Sequence, residues 1–158
     1  MAPTILFVPG FWEGPTVFEQ VSTLLQSEGF ATETAVLAST GHKSPNNPTM
    51  EDDIAAIRAH VAALVEADKD VVLVLHSGAG FLGSNAIENL EASKRQAAGK
   101  KGGVSKIVFL AAGIFPEGFV HGPLPFAQVN VSSHYFIGLL NPFLSLQYLT
   151  LFIRTMAV

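Results

Sequence analysis

The stretch Val71-Val72-Leu73-Val74-Leu75-His76-Ser77-Gly78-Ala79-Gly80 sets the architecture, because an apolar run passes directly into a serine and three small residues. A short, continuous apolar run of this kind is typical of a strand buried on both faces. A helical pattern follows from about Gly80 to Ala98, so Ser77 is predicted at a turn between a strand and a helix. Such a turn would lift the serine hydroxyl above the strand ends, with the next backbone N–H and the positive end of the helix directed at the same point.

Apolar runs and helical patterns alternate along the residues on either side of this turn. Thr4–Val8 is a β-branched and aromatic run that ends at Pro9-Gly10, which predicts another buried strand. Thr49, with Asp52 three residues later, predicts a capped helix start. The remaining predicted elements are strands at 31–37 and 107–112 and amphipathic helices at about 17–25 and 54–65. The order βαβαβαβ predicts an α/β fold, a three-layer sandwich with a mostly parallel sheet of about four strands and helices on both faces.

Composition excludes several classes of protein. Of the 158 residues, 49% are hydrophobic and 14% are charged, which is incompatible with global disorder. The net charge of -4 provides no basic footprint, so no nucleic-acid partner is expected. The absence of cysteine excludes disulfides, thiolate nucleophiles and cysteine-based metal sites.

Charge divides the chain into two unequal parts. All but two of the 22 charged side chains lie within residues 1–106, and only Glu117 and Arg154 follow. We therefore expect a core over 1–117 and an apolar, atypical tail over 118–158. Within that tail, 135–153 is uncharged and long enough to span a bilayer, but its polar interruptions and the lack of a flanking basic cluster argue against a membrane segment.

The serine turn resembles the nucleophile elbow of the α/β-hydrolase family, which usually reads G-H-S-x-G-G where this chain has Leu75-His76-Ser77-Gly78-Ala79-Gly80. The segment Phe7-Val8-Pro9-Gly10-Phe11-Trp12 is similar to the first strand of that family and its H-G-x-x loop, with Pro9 where histidine is common. Residues 109–112 and 115–117 resemble its next strand and exit loop. The resemblance covers roughly 4–118, is nearest to the small esterase and hydroxynitrile-lyase-like branch, and suggests a member that is shortened at the C-terminus or has an unusual tail.

This resemblance implies a serine hydrolase that acts on a small apolar ester or related acyl compound. Ser77 would be the nucleophile, and the N–H groups of Phe11 and Gly78 would form the oxyanion hole. The substrate pocket would include Gly10, Trp12 and Phe115. Neither a cofactor nor a metal is expected for this chemistry.

The remaining triad members have few candidates. The family order is serine, acid, histidine, yet no aspartate follows Asp70, so Glu117 is the acid in the right region. Of the two downstream histidines, His121 lies only four residues beyond Glu117, and so short a loop would hardly direct both side chains toward Ser77. His134 lies farther along the chain, so a longer loop would connect it to Glu117. The predicted triad is Ser77, Glu117 and His134. The alternative is a shortened, catalytically weak or inactive hydrolase-like domain that binds a small molecule or a partner, because serine without a base is a poor nucleophile.

A third interpretation uses the same residues, since Gly78–Gly83 reads G-x-G-x-x-G after a strand. This pattern can indicate a dinucleotide-binding module, but Ala111, Ala112 and Gly113 provide no acid for the ribose at the end of the next strand. The upstream histidines have no metal spacing. His76 is predicted to point away from the serine and pack, and His42 and His60 to be solvated.

Two expectations concern the setting of the protein. The start of the sequence lacks the positive n-region and long apolar stretch of a signal peptide, which favours a cytoplasmic location. An unpaired edge strand or the apolar tail could also support self-association.

Overall fold

The computed structural model describes residues 2–42 and 48–114. Phe115, Glu117 and His134, and with them the tail over 118–158, lie outside the described residues. Within the described ranges, no helix combines the length and apolar character that crossing a membrane requires.

Four parallel strands form one sheet in the order β2-β1-β3-β4. Their bounds are β1 Thr4–Val8, β2 Ala31–Thr34, β3 Asp70–His76 and β4 Gly103–Leu110. The register pairs Val8 with Leu75 and His76 with Leu110, so the ends of β1, β3 and β4 meet at one edge. This arrangement confirms the predicted α/β fold with a parallel sheet of four strands.

Three of the predicted strand bounds are wrong. The fourth strand ends at Leu110 rather than at residue 112, because Leu110 pairs with His76, the last residue of β3. The second strand ends at Thr34 rather than at residue 37, because Thr34 pairs with Phe7 and β1 itself ends one residue later. The fourth strand begins at Gly103 rather than at residue 107, because its pairing with β3 extends back to Asp70. All three errors arise because the partner strand, rather than the local apolar pattern, sets where a strand begins or ends.

The helices are a 3₁₀ turn at Pro15–Phe18, then α1 Glu19–Ser27, α2 Met50–Glu66, α3 Ala79–Ala86 and α4 Ala92–Ala97. Thr49 caps α2 as predicted, since its hydroxyl accepts from the Asp52 N–H and the Asp52 carboxylate accepts from the Thr49 N–H at 2.7 Å. The capping box therefore forms as the sequence pattern indicates.

The single helix predicted over Gly80 to Ala98 is wrong, because α3 and α4 are separate. Arg58 of α2 donates through Nη1 to the carbonyl oxygens of Ala86 and Glu88, at 3.0 and 2.8 Å. Asn89 then adopts a φ of 62°, which takes the chain out of the helical region. A side chain from another helix thus binds carbonyl oxygens at and just beyond the end of α3.

Helices cover both faces of the sheet. Phe7 of β1 stacks on Phe18 at a centroid distance of 4.6 Å, on the side where α1 buries Val21 and Leu25. Leu6 and Val8 point to the opposite face, where they join one apolar cluster with α2 and α3. The members that those helices contribute to the cluster include Ile57, Val61, Leu64, Val65, Leu82 and Ala86. This burial on both faces explains why the strands read as continuous apolar runs.

Candidate active site

Ser77 lies at the turn between β3 and α3, as the sequence predicts. Its φ is 53°, in the left-handed region that non-glycine residues rarely adopt. The Ser77 N–H donates to the Leu110 carbonyl at 3.2 Å, and the Ser77 carbonyl accepts from the N–H groups of Gly80 and Gly113, each at 3.3 Å. These bonds to β4, α3 and the segment after β4 hold the serine in its strained conformation.

The loop after β1 lies against this turn. A Cβ built on Gly10 would lie 2.9 Å from the Cβ of Ser77, and one built on Gly78 would lie 3.0 Å from Cγ of Phe11. Both glycines are therefore required for the close approach of the two segments. The structure brings together Gly10, Phe11, Ser77 and Gly78, which are four of the residues that the sequence assigned to the site.

Leu75 stands where the hydrolase elbow usually has glycine, and the structure shows how this departure is accommodated. Leu75 is fully buried, and a Cβ on Gly83 would lie 2.9 Å from its Cδ1. Gly83 of α3 thus leaves the space that the Leu75 side chain fills. In this chain, the small residue that lets the strand and helix pack closely is therefore Gly83 on the helix and not the residue on the strand.

A tight turn shapes the loop that follows β1. The Glu13 N–H donates to the Gly10 carbonyl at 3.2 Å, and Trp12 within the turn has a φ of 66°. The Trp12 side chain is 87% exposed, and its ring lies 6.0 Å from that of Phe11. Trp12 is therefore largely exposed to solvent, and its place in a substrate pocket stays a prediction.

Glu13 joins this loop to the strand that carries the serine, a contact that sequence analysis missed. Its Oε2 accepts from the Gly10 N–H at 2.7 Å and lies 2.8 Å from Nδ1 of His76. The His76 ring also meets Phe18 edge-on at 6.1 Å. His76 does pack, as expected, but it is hydrogen-bonded as well. Because Glu13 and His76 are 63 positions apart, only the pairing of β1 with β3 could have suggested their contact.

The other predicted residues have different outcomes. The roles of Phe115, Glu117 and His134 stay predictions, since all three lie outside the described residues. His42 is exposed. The expectation that His60 is merely solvated is wrong, because its Nε2 lies 2.7 Å from Glu33 Oε2 and its side chain is 28% exposed. Over 2–42 and 48–114, no three histidine, aspartate or glutamate side chains are grouped so that they could hold a metal ion.

The surroundings of the glycine pattern do not favour a dinucleotide. The second glycine of that motif, Gly80, is where a pyrophosphate would approach the backbone. A Cβ built there would meet the carbonyl of Gly113, and the corresponding space beside Gly78 holds the Phe11 ring. The protein's own atoms thus occupy the positions that these glycines leave open.

Comparison with known proteins agrees with this geometry. A model of the alpha/beta hydrolase family matches residues 5–156. This chain belongs to that family. Two curated fungal relatives are similar to it: the alpha/beta hydrolase nvfD of Aspergillus novofumigatus, 32% identical over 121 residues, and a probable hydrolase R7 of a Phoma species, 31% identical over 111 residues. These matches cover 75% and 70% of this chain.

A solved structure of another hydrolase shares the fold. It is an extracellular alpha/beta-hydrolase from a Paenibacillus species, described as sharing structural and functional homology with tobacco salicylic acid binding protein 2. The TM-score is 0.55 at 20% identity, over 72% of this chain and 42% of that one. The matched region spans 46% and 42% of the two fungal hydrolases, so this chain spans less than half the length of the relatives that it matches.

Proposed function

We propose that this protein hydrolyses a small ester or related acyl compound, with Ser77 as the nucleophile. The observation that carries the proposal is the left-handed Ser77, held at the strand ends between β3 and α3 with the loop of Gly10 and Phe11 beside it. The membership of this chain in the hydrolase family and its similarity to two hydrolases support a hydrolase-like function.

The proposed reaction is acyl transfer to serine. The Ser77 Oγ bonds to the substrate carbonyl carbon, and the electron pair of the carbonyl moves onto its oxygen. The N–H groups of Phe11 and Gly78 donate to that oxyanion. The carbonyl then re-forms as the bond to the alcohol breaks, and water releases the acid from Ser77 in a second addition and elimination.

The proton transfers require a base, for which we propose His134 with Glu117 as its partner. His134 would take the proton of Ser77 Oγ during attack and pass it to the leaving alkoxide. Glu117 would hold the imidazole in the tautomer that accepts this proton. We place the substrate's apolar part against Gly10, Trp12 and Phe115, which fits a small apolar ester.

Covalent labelling with a fluorophosphonate tests the nucleophile. We expect a single adduct on the wild-type chain and none on Ser77→Ala, with peptide mass spectrometry locating the adduct. Ser84→Ala is the matched control, because Ser84 belongs to the adjoining helix and its hydroxyl is bonded to the Gly80 carbonyl at 3.0 Å. Equal labelling of Ser77→Ala would disprove the assignment. A folded but unlabelled wild type would instead indicate a non-catalytic hydrolase-like domain.

The two downstream histidines form a second matched pair. If His134 is the base, His134→Ala should slow labelling about 10²–10⁴-fold, the usual contribution of general base catalysis. His121→Ala should label at the wild-type rate. The reverse result would move the base to His121.

A further inference from the structure

We infer that Glu13 is a positioning residue. It holds the oxyanion loop, residues 10–13 after β1, against the nucleophile turn, residues 76–78 between β3 and α3. This inference rests on the proposed function, since it concerns the N–H donor of Phe11. It assigns a role to a carboxylate that neither the elbow motif nor the predicted triad includes.

The contacts of one oxygen carry the inference. Glu13 Oε2 accepts from the backbone N–H of Gly10 and lies at hydrogen-bond distance from His76 Nδ1, at 2.7 and 2.8 Å. Gly10 immediately precedes the predicted oxyanion donor Phe11, and His76 immediately precedes Ser77. One carboxylate oxygen therefore connects the residue before the donor to the residue before the nucleophile. A carboxylate only accepts, so the Nδ1 of His76 carries the proton of this bond.

Besides the turn bond from the Glu13 N–H to the Gly10 carbonyl, the rest of the loop has few other restraints among the described residues. Trp12 at its tip is 87% exposed and has a strained backbone, so burial does not hold it. The Glu13 carbonyl accepts from Thr40 Oγ1 only at a long 3.4 Å. The Phe11 ring packs on Gly78, but this contact restrains the side chain more directly than the N–H. The carboxylate of Glu13 is thus the group best placed to set where the Phe11 N–H points.

Glutamine and alanine at this position separate geometry from charge. A glutamine Oε1 has two lone pairs and can accept both bonds at once, whereas alanine removes the acceptor. Complete loss of one oxyanion donor lowers the rate about 10²–10³-fold, so a donor that is only displaced should cost less. We therefore expect Glu13→Ala to lower the maximal rate of fluorophosphonate labelling about 10–100-fold, with the probe concentration at half-maximal rate nearly unchanged. Glu13→Gln should label much faster than Glu13→Ala, because it keeps the acceptor oxygen. Glu19→Ala, an exposed acid just after the same loop, is the control and should label like the wild type.

Amide hydrogen exchange measures the tether without any activity. Loss of a bond to a charged acceptor should make the Gly10 N–H exchange about 10–100-fold faster in Glu13→Ala, because such bonds are worth roughly 1.5–3 kcal/mol. Exchange at Leu73 in the buried centre of β3 should stay unchanged, which distinguishes release of the loop from general destabilisation.

The outcomes distinguish the inference from the proposed function. If the wild type labels and Glu13→Ala labels equally well, the positioning role is wrong while the hydrolase assignment stands. If Gly10 exchange in Glu13→Ala equals that of the wild type, the tether itself is disproved. If the wild type does not label, the proposed chemistry fails, and faster Gly10 exchange in Glu13→Ala with unchanged Leu73 still supports the tether.

Discussion

Three residues beyond the strand ends, Trp12, Ser77 and Ala111, adopt backbone conformations that their side chains disfavour. Ser77 and Trp12 have φ values of 53° and 66°, and each such residue costs about 1–2 kcal/mol. Strain of this kind persists where the surrounding bonds over-determine it, and it clusters at functional sites. At Ser77 those bonds are visible, since its N–H and its carbonyl are both occupied by β4, α3 or the segment after β4.

The strained backbone at Ser77 predicts that the serine proposed for catalysis lowers the free energy of unfolding. Ser77→Gly should be about 0.5–1 kcal/mol more stable than Ser77→Ala, because glycine relieves the left-handed strain and returns only part of that gain as unfolded-state entropy. Urea denaturation of the two variants measures the difference. A Ser77→Gly protein no more stable than Ser77→Ala would show that the turn is not strained.

The approach of α3 to β3 depends on one complementary pair of residues. Leu75 occupies the space beside Gly83, and both are buried. The helix can therefore begin close to the end of the strand, although the strand lacks the usual small residue two positions before the serine. Of the two, the leucine supplies apolar volume and the glycine supplies the room for it.

This pairing predicts strong coupling between the two positions. Gly83→Ala should destabilise the protein by about 1–3 kcal/mol through overpacking, although alanine is the better helix former. Leu75→Ala should cost about 2–5 kcal/mol through the cavity that it leaves. The double variant should be more stable than the sum of the two losses predicts, as denaturation in a double-mutant cycle would measure. Gly14→Ala is the control, since a Cβ there meets nothing within 4 Å and the Gly14 φ of -80° suits alanine. Additive losses would show that Leu75 and Gly83 do not interact.

Across the whole molecule, Arg95 of α4 joins segments that lie far apart in the chain. Its buried guanidinium donates to the carbonyls of Val65, Lys101 and Gly102 and, through Nη1, to the Glu66 carboxylate at 2.7 Å. The end of α2, α4 and the turn before β4 are thus tied to one side chain. The hydrogen bond from Arg95, and then that from Lys100, holds the pKa of Glu66 below its usual value of 4.5.

The lowered pKa of Glu66 predicts a pH dependence of stability. A carboxyl with a lower pKa in the folded state contributes stability above its usual value, and this contribution is lost as the pH falls through the folded pKa. The wild type should therefore exceed Glu66→Gln in stability at about pH 6, and the gap should narrow as the pH falls below 4.5. The gap should also shrink in high salt, because the Glu66 side chain is 58% exposed and its charge is screened. A gap independent of pH would contradict the linkage.

Much of this protein can be read from neighbouring residues. The apolar runs, the helical periodicity and the Thr49 cap predict the parallel α/β sheet, and the serine between a strand and small residues predicts the elbow. These features depend on a few consecutive positions, because burial pattern, capping and turn chemistry are local properties. The prediction that Gly10, Phe11, Ser77 and Gly78 lie together came instead from the resemblance to the hydrolase family.

The remaining features depend on which distant segments meet. Leu75 is tolerated because of Gly83, Arg58 binds carbonyls at and just beyond the end of α3, and Glu13 bonds His76 across 63 positions. None of these partners is marked by a nearby pattern, since each contact exists only after the strands pair in register and the helices pack on them. Local sequence therefore specified the elements and the candidate nucleophile. Folding in three dimensions selected the side chains that hold the surroundings of Ser77 in place.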